Sequence, residues 1–200
     1  MKSTADLELI LASSAPWRSQ ALTKLGVHHQ ATAPEYVEPS FEGGPLEAHV
    51  MRLAHGKAQS LRARFPGKWI LAFDQLAEVD GQVLGKPGDF ATAFEQLSQL
   101  QGKAHRLVNG MALLAGDEEL LRWDQAWLTI RELEPKEIET YLKAETPYQC
   151  AGSYKIEGLG ASLFERIEVT DLGSILGLPA NLVLNALREL DYSNLLPPEA

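Results

Sequence analysis

Trp69-Ile70-Leu71-Ala72-Phe73-Asp74-Gln75, with Asp80-Gly81 and Gly85-Lys86-Pro87 just beyond it, is the stretch that decides how this chain is read. The apolar run 69–73 predicts a buried strand. Asp74 closes that run. An ionised carboxylate at the end of a buried strand is costly unless a cation, a metal or a ligand meets it. Asp80-Gly81 suits a two-residue hairpin turn between strands at 76–79 and 82–84. Lys86 then stands between a glycine and a proline, where the backbone is tightly restricted. A carboxylate and an ammonium on neighbouring turns suit a metal-assisted phosphate site.

Upstream of this stretch, residues 7–13 read as a first buried strand and 28–33 as a second. Pro16 opens a helix that stops at Gly26. A loop follows at 34–44, with prolines at 34 and 39 and glycines at 43 and 44. Pro45 opens a long helix to about residue 65, whose apolar face is marked by Leu46, Val50, Leu53, Ala54, Leu61 and Phe65. Lys57 lies on or beside that face, either as a snorkelling lysine or as part of a site. Downstream, Asp89 caps a helix that ends at Gly102, and long strands span 105–115 and 120–130. Further elements are a helix from Glu134-Pro135 to about 143, a strand at 162–167 and a helix from Pro179 to 190, with a loose tail at 191–200. Strands and helices mix throughout, which predicts an α/β fold with a mixed sheet in a single domain over 1–200.

Net charge is −9, which argues against a partner of the nucleic-acid polymer class, because such surfaces are usually basic. Phosphate binding would need Lys and Arg gathered locally. Cys150 is the only cysteine, so no intrachain disulfide can form, and this agrees with a reducing cytoplasm. The apolar run 9–12 is too short for a secretion signal or a membrane span. The five histidines lack metal-ligand spacing. Trp123 and Trp127 share one face of a strand and read as packing residues.

Ser13-Ser14-Ala15-Pro16-Trp17-Arg18 is a strand-to-helix turn. Hydroxyls, backbone N–H groups and the positive helix end meet there, which favours an anion. Arg18 can grip phosphate as a planar fork. The alternative is an N-capping turn with a solvated arginine.

Taken together, these segments resemble the Maf-like nucleoside triphosphate pyrophosphatases. The resemblance rests on Leu11-Ala12-Ser13-Ser14-Ala15-Pro16-Trp17-Arg18, Arg52-Leu53-Ala54 with Lys57-Ala58, Asp74-Gln75, Gly85-Lys86-Pro87, the run from Ala151 to Gly158, and Gly177-Leu178-Pro179. These are collinear from about residue 9 to residue 190. The resemblance implies a mixed twisted sheet flanked by helices, with two lobes about a central cleft, as in Maf and ITPase-like proteins. It implies Asp74 as general base and metal ligand, Glu38 as a second metal ligand, and Ser13, Arg18, Lys57 and Lys86 on the phosphates. The implied cofactor is a divalent cation, Mg²⁺ by default, with Mn²⁺ or Co²⁺ as alternatives. The implied partner is a small nucleotide, with no membrane and often a second copy of the chain.

Trp17, Gln75 and Glu157 resemble the trio of the 7-methyl-GTP branch; the dTTP and UTP branch carries Arg, Thr and Gln at these places. A flat indole suits a cationic methylated purine, Glu157 can accept hydrogen bonds from a guanine edge, and Gln75 can donate or accept. Three positions depart from the family pattern: Ala15 replaces a serine, Val37 an aspartate and Asn109 a threonine. The alternatives are the dTTP/UTP branch and a non-catalytic nucleotide-binding regulator of cell division.

Overall fold

The computed structural model describes residues 1–197, and the chain forms two compact units. Among the described residues, the first comprises 1–74, 109–124 and 171–197; the second comprises 75–108 and 125–170. Strands β4 (Trp69–Val79), β6 (Ala104–Ala115) and β7 (Glu118–Ile130) contribute residues to both.

In the first unit β2 (Leu9–Ala12) pairs in parallel with β3 (Gln30–Thr32) on one side and with β4 on the other, Leu11 opposite Leu71 and Ala12 opposite Ala72. All four residues of β2 are buried, as expected of a parallel strand covered on both faces. Alternate side chains point to opposite faces of a strand, and the core divides accordingly. Leu9, Leu11, Leu71, Phe73, Met111 and Leu113 pack with Leu22 of α1 (Pro16–Lys24) and with Val183, Ala186 and Leu187 of α5 (Ala180–Glu189). Ile10, Ala12, Ile70, Ala72, Ala112 and Leu114 pack with Ala54, Ala58 and Leu61 of α2 (Leu46–Arg62). Asp74 continues the series 70, 72, 74, so the alternation aims it at α2.

The second unit carries the end of β4, which pairs antiparallel with β5 (Gln82–Leu84). Asp80 and Gly81 both have positive φ, 52° and 78°, which gives the turn the twist a hairpin requires. Asp89 accepts from the Thr92 N–H and caps α3 (Phe90–Leu100), and Glu134 forms a capping box at α4 (Pro135–Glu145). Helix α3 packs on α4 and on the single helical turn Ala151–Ser153. Strand β8 (Phe164–Val169) pairs antiparallel with β7.

Some elements differ from the expectation. Strand β4 does not end at Asp74 but runs to Val79, because the segment after the apolar run alternates and finds a hairpin partner in β5. Strand β8 lies two residues later than 162–167. Within the expected tail, β9 (Tyr192–Ser193) pairs in parallel with β1 (Lys2–Ser3), and Ser3 Oγ donates to the Leu196 carbonyl; residues 198–200 lie outside the described residues. Trp123 and Trp127 are 43% and 42% exposed rather than packed inside. Among the described residues, no helix is long and apolar enough to cross a membrane.

Candidate active site

The first unit gathers three of the predicted residues, Lys57, Glu38 and Arg18, around Asp74. Lys57 Nζ contacts Asp74 Oδ1 and lies 2.7 Å from Glu38 Oε1, so one ammonium bridges two carboxylates. The Lys57 side chain is only 12% exposed, so its ammonium is turned to the two carboxylates rather than snorkelling to water. Helical spacing brings it there. Lys57 lies between Ala54 and Ala58, both buried on the face that meets Asp74.

Glu38 is delivered by the loop that follows β3. A Cβ on Gly56 would come within 2.2 Å of the Tyr36 ring, so the missing side chain of Gly56 lets the loop lie directly on α2. Ser60 Oγ accepts from the Glu35 N–H at 3.1 Å and holds the same segment.

Asp74 is buried, and its Oδ2 has no hydrogen-bond partner among the described residues. Burial pushes its carboxyl above the ordinary range. Lys57 opposes this by charge and by hydrogen bond, Glu38 reinforces it, and Arg18 opposes it more weakly. An orphaned carboxylate oxygen beside a second carboxylate is an oxygen-donor set that fits a hard divalent cation. Magnesium commonly takes one or two protein carboxylates and leaves its other positions to water and phosphate.

Arg18 reaches the Phe73 carbonyl through Nη1 at 3.4 Å and the Gly177 carbonyl through Nε at 3.2 Å. Its guanidinium lies 5.9 Å from the centre of the Phe73 ring. Burial disfavours its charge, and Asp74 and Glu38 restore part of the balance. Trp17 Nε1 donates to the Leu176 carbonyl at 3.2 Å while the residue stays 55% exposed, so the indole is tethered yet presents a face. Two neighbouring carbonyls, of Leu176 and Gly177, thus orient the two predicted contacts on α1. Asp171 ties that segment down by accepting from the Gly173 and Asn181 N–H groups, and Asn109 Nδ2 donates to the Ser174 carbonyl at 2.8 Å. Ser13 is buried, and its Oγ accepts from the Ala15 N–H at 3.1 Å. No side chain caps α1 at Ala15.

Gln75, Lys86 and Glu157 belong to the second unit. Gln75 follows Asp74 along β4 and is half-buried, its side chain on the opposite face of the strand by alternation. Lys86 and Glu157 are exposed. Both act on the Cys150 thiol: burial raises it, Lys155 opposes that, Glu157 adds to it and Lys86 opposes it. A separate cavity of about 290 Å³ in this unit, lined by Arg131, Glu137, Tyr141 and Leu159 among others, holds none of the predicted residues. Its arginine is already paired with Glu137 at 2.7 Å.

Other contributors carry no local signal in the sequence. His49 is buried at the edge of the Asp74 cluster, with Nδ1 2.7 Å from Arg52 Nη2. Burial and Arg52 push its pKa down while Asp74 pulls it up. Leu176 acts through its backbone, which no pattern of side chains reveals.

The profile of the family described as "Maf-like protein" matches residues 8–190. A 7-methyl-GTP pyrophosphatase of Xanthomonas oryzae pv. oryzae (strain MAFF 311018) is 40% identical over 184 residues, covering 92% of this chain and 97% of that one. One of Pseudomonas syringae pv. tomato is 42% identical over 173 residues, covering 86% and 90%. One of Cupriavidus metallidurans is 36% identical over 194 residues, covering 96% and 98%. Among solved structures, the Staphylococcus aureus Ham1 protein aligns with a TM-score of 0.54 at 14% identity, over 92% of this chain and 99% of that one, and so shares the fold.

Proposed function

Because this chain belongs to the Maf-like protein family, we propose that it hydrolyses 7-methyl-GTP to the nucleoside monophosphate and pyrophosphate. The observation that carries the chemistry is Asp74, a buried carboxylate with one oxygen held by Lys57 and the other without a hydrogen-bond partner among the described residues. A buried acid with a raised pKa beside a matched cation is an arrangement suited to a general base. Asp74 takes a proton from water as the water oxygen bonds to the α-phosphorus. The bond from that phosphorus to the bridging oxygen breaks, and pyrophosphate leaves with the electron pair.

Lys57, Arg18 and Lys86 neutralise the triphosphate and the charge that grows on the leaving group, and Ser13 holds a phosphate oxygen. Asp74 and Glu38 would hold a divalent cation, Mg²⁺ first and Mn²⁺ or Co²⁺ as alternatives. When bound, it would polarise phosphate oxygens. Lys57 then exchanges a carboxylate for a phosphate. Trp17, Gln75 and Glu157 select the base. Relatives named for 7-methyl-GTP along most of the chain support this choice of substrate. The same reading takes the protein as cytoplasmic and able to pair as a homodimer.

Asp74→Asn tests the reading. It keeps the shape and removes the base, so turnover of 7-methyl-GTP is expected to fall about 10²–10⁴-fold while nucleotide binding, followed by calorimetry, persists. A turnover near that of the wild type would reject Asp74 as the base.

A further inference from the structure

We propose that Gln96 is a positioning residue for Lys86, holding the Gly85–Lys86 peptide through a hydrogen-bond relay that begins at Ser153. This rests on the assignment of Lys86 to the phosphates. Gln96 is on α3, buried, and uses both ends of its amide: Nε2 donates to the Gly85 carbonyl at 3.1 Å, and Oε1 accepts from Ser153 Oγ at 2.5 Å. The Gly85 carbonyl belongs to the peptide group that enters Lys86. Fixing that plane limits φ of Lys86, while Pro87 limits its ψ from the other side. Pro87 is itself buried, and the Gly88 N–H donates to the Tyr148 carbonyl at 3.0 Å. An exposed lysine on a Gly-Lys-Pro turn therefore has a fixed backbone.

The other end of the relay is held at a cost. Ser153 is fully buried with φ of 64°, and Gly152 before it has φ of 75°. A serine at positive φ is uncommon outside constrained sites. The glycine tolerates the conformation freely; the serine contributes the hydroxyl that donates to Gln96. Tyr154 next to it pairs with buried His105 at 2.8 Å, and the Lys155 N–H donates to Tyr141 Oη at 2.9 Å. The segment leading to Glu157 is thus anchored by hydrogen bonds through Lys155, and Gln96 links it to the Lys86 turn.

The experiment is a double-mutant cycle. Gln96→Glu keeps the length and the acceptor for Ser153 but loses the donor to Gly85; Gln96→Met removes both bonds at similar volume and serves if the glutamate disturbs folding. Each is measured alone and with Lys86→Ala, for kcat and KM with 7-methyl-GTP and for inhibition by pyrophosphate. Gln96→Glu is expected to lower kcat/KM about 2- to 12-fold, the equivalent of one ordinary hydrogen bond, and to weaken pyrophosphate inhibition. In the Lys86→Ala background the same change is expected to add less than about twofold, since the group it positions is gone. A loss of equal size in both backgrounds, or none in either, overturns the inference and leaves the function standing. If Lys86→Ala itself costs nothing, the assignment of Lys86 to phosphate falls, and the inference with it.

Discussion

Replacing Lys57 by methionine isolates what the central ammonium does. The substitution keeps most of the apolar stem and removes the charge that touches Asp74 and lies 2.7 Å from Glu38. Burial already holds the Asp74 carboxyl above its ordinary value, and Lys57 is the strongest force acting the other way. An opposite charge at such range lowers a carboxyl pKa. Losing it moves Asp74 further up, with Arg18 retaining a smaller share of the opposing charge. A general base works deprotonated, so the acid limb of kcat/KM against pH shifts to higher pH, and activity at any fixed pH on that limb falls. Stability follows the same sign. A carboxyl with a raised pKa in the folded state favours folding below its unfolded pKa, and that contribution is lost as pH rises through the folded value. The variant should therefore be destabilised near neutrality, by about 3–5 kcal/mol for an unpaired buried charge, and less so in acid. The assays are the pH–rate profile and denaturant unfolding at two pH values. A uniform loss of activity with an unmoved acid limb would refute the coupling and leave Lys57 as a phosphate contact alone.

Other outcomes follow from the same geometry. Arg18→Ala and Lys86→Ala should each weaken inhibition by pyrophosphate more than binding of the nucleoside, measured by calorimetry; loss of base discrimination alone would show that the nucleotide lies the other way round. Glu157→Gln should narrow the preference for 7-methyl-GTP over GTP, because it removes a charge that complements the cationic ring and keeps the shape. An unchanged ratio of kcat/KM values would remove Glu157 from base selection.

Much of this arrangement was legible in the sequence because it is written in local pattern. The apolar runs at Leu9–Ala12 and 69–73 announce buried strands, and the 3.6-residue spacing of α2 puts Lys57 among its buried alanines. Asp80-Gly81 and Asp89 carry the chemistry of their own turn and cap. What could not be read depends on distant partners. That β4 passes through Asp74 is decided by a hairpin strand whose residues alternate only weakly. The pairing of Tyr192–Ser193 with Lys2–Ser3 joins the two ends of the described chain, beyond the reach of any window. Trp123 and Trp127 share a strand face, but alternation alone does not say whether that face is covered. Gln96 reads as an ordinary polar residue of an amphipathic helix, and only the placement of Gly85 and Ser153 gives it a task. The same holds for Leu176 and Gly177, which act through carbonyls.

The most direct measurement is product formation from a panel of 7-methyl-GTP, GTP, dTTP and UTP by the wild-type protein with Mg²⁺, resolved by phosphorus NMR and compared as kcat/KM. The account predicts pyrophosphate and nucleoside monophosphate as products, with 7-methyl-GTP preferred over GTP and both over the pyrimidines. The margin between 7-methyl-GTP and GTP should be about two- to thirty-fold, the worth of a cation stacked on the Trp17 indole. Best turnover of UTP or dTTP would contradict the assigned substrate, and release of orthophosphate in place of pyrophosphate would contradict attack at the α-phosphorus.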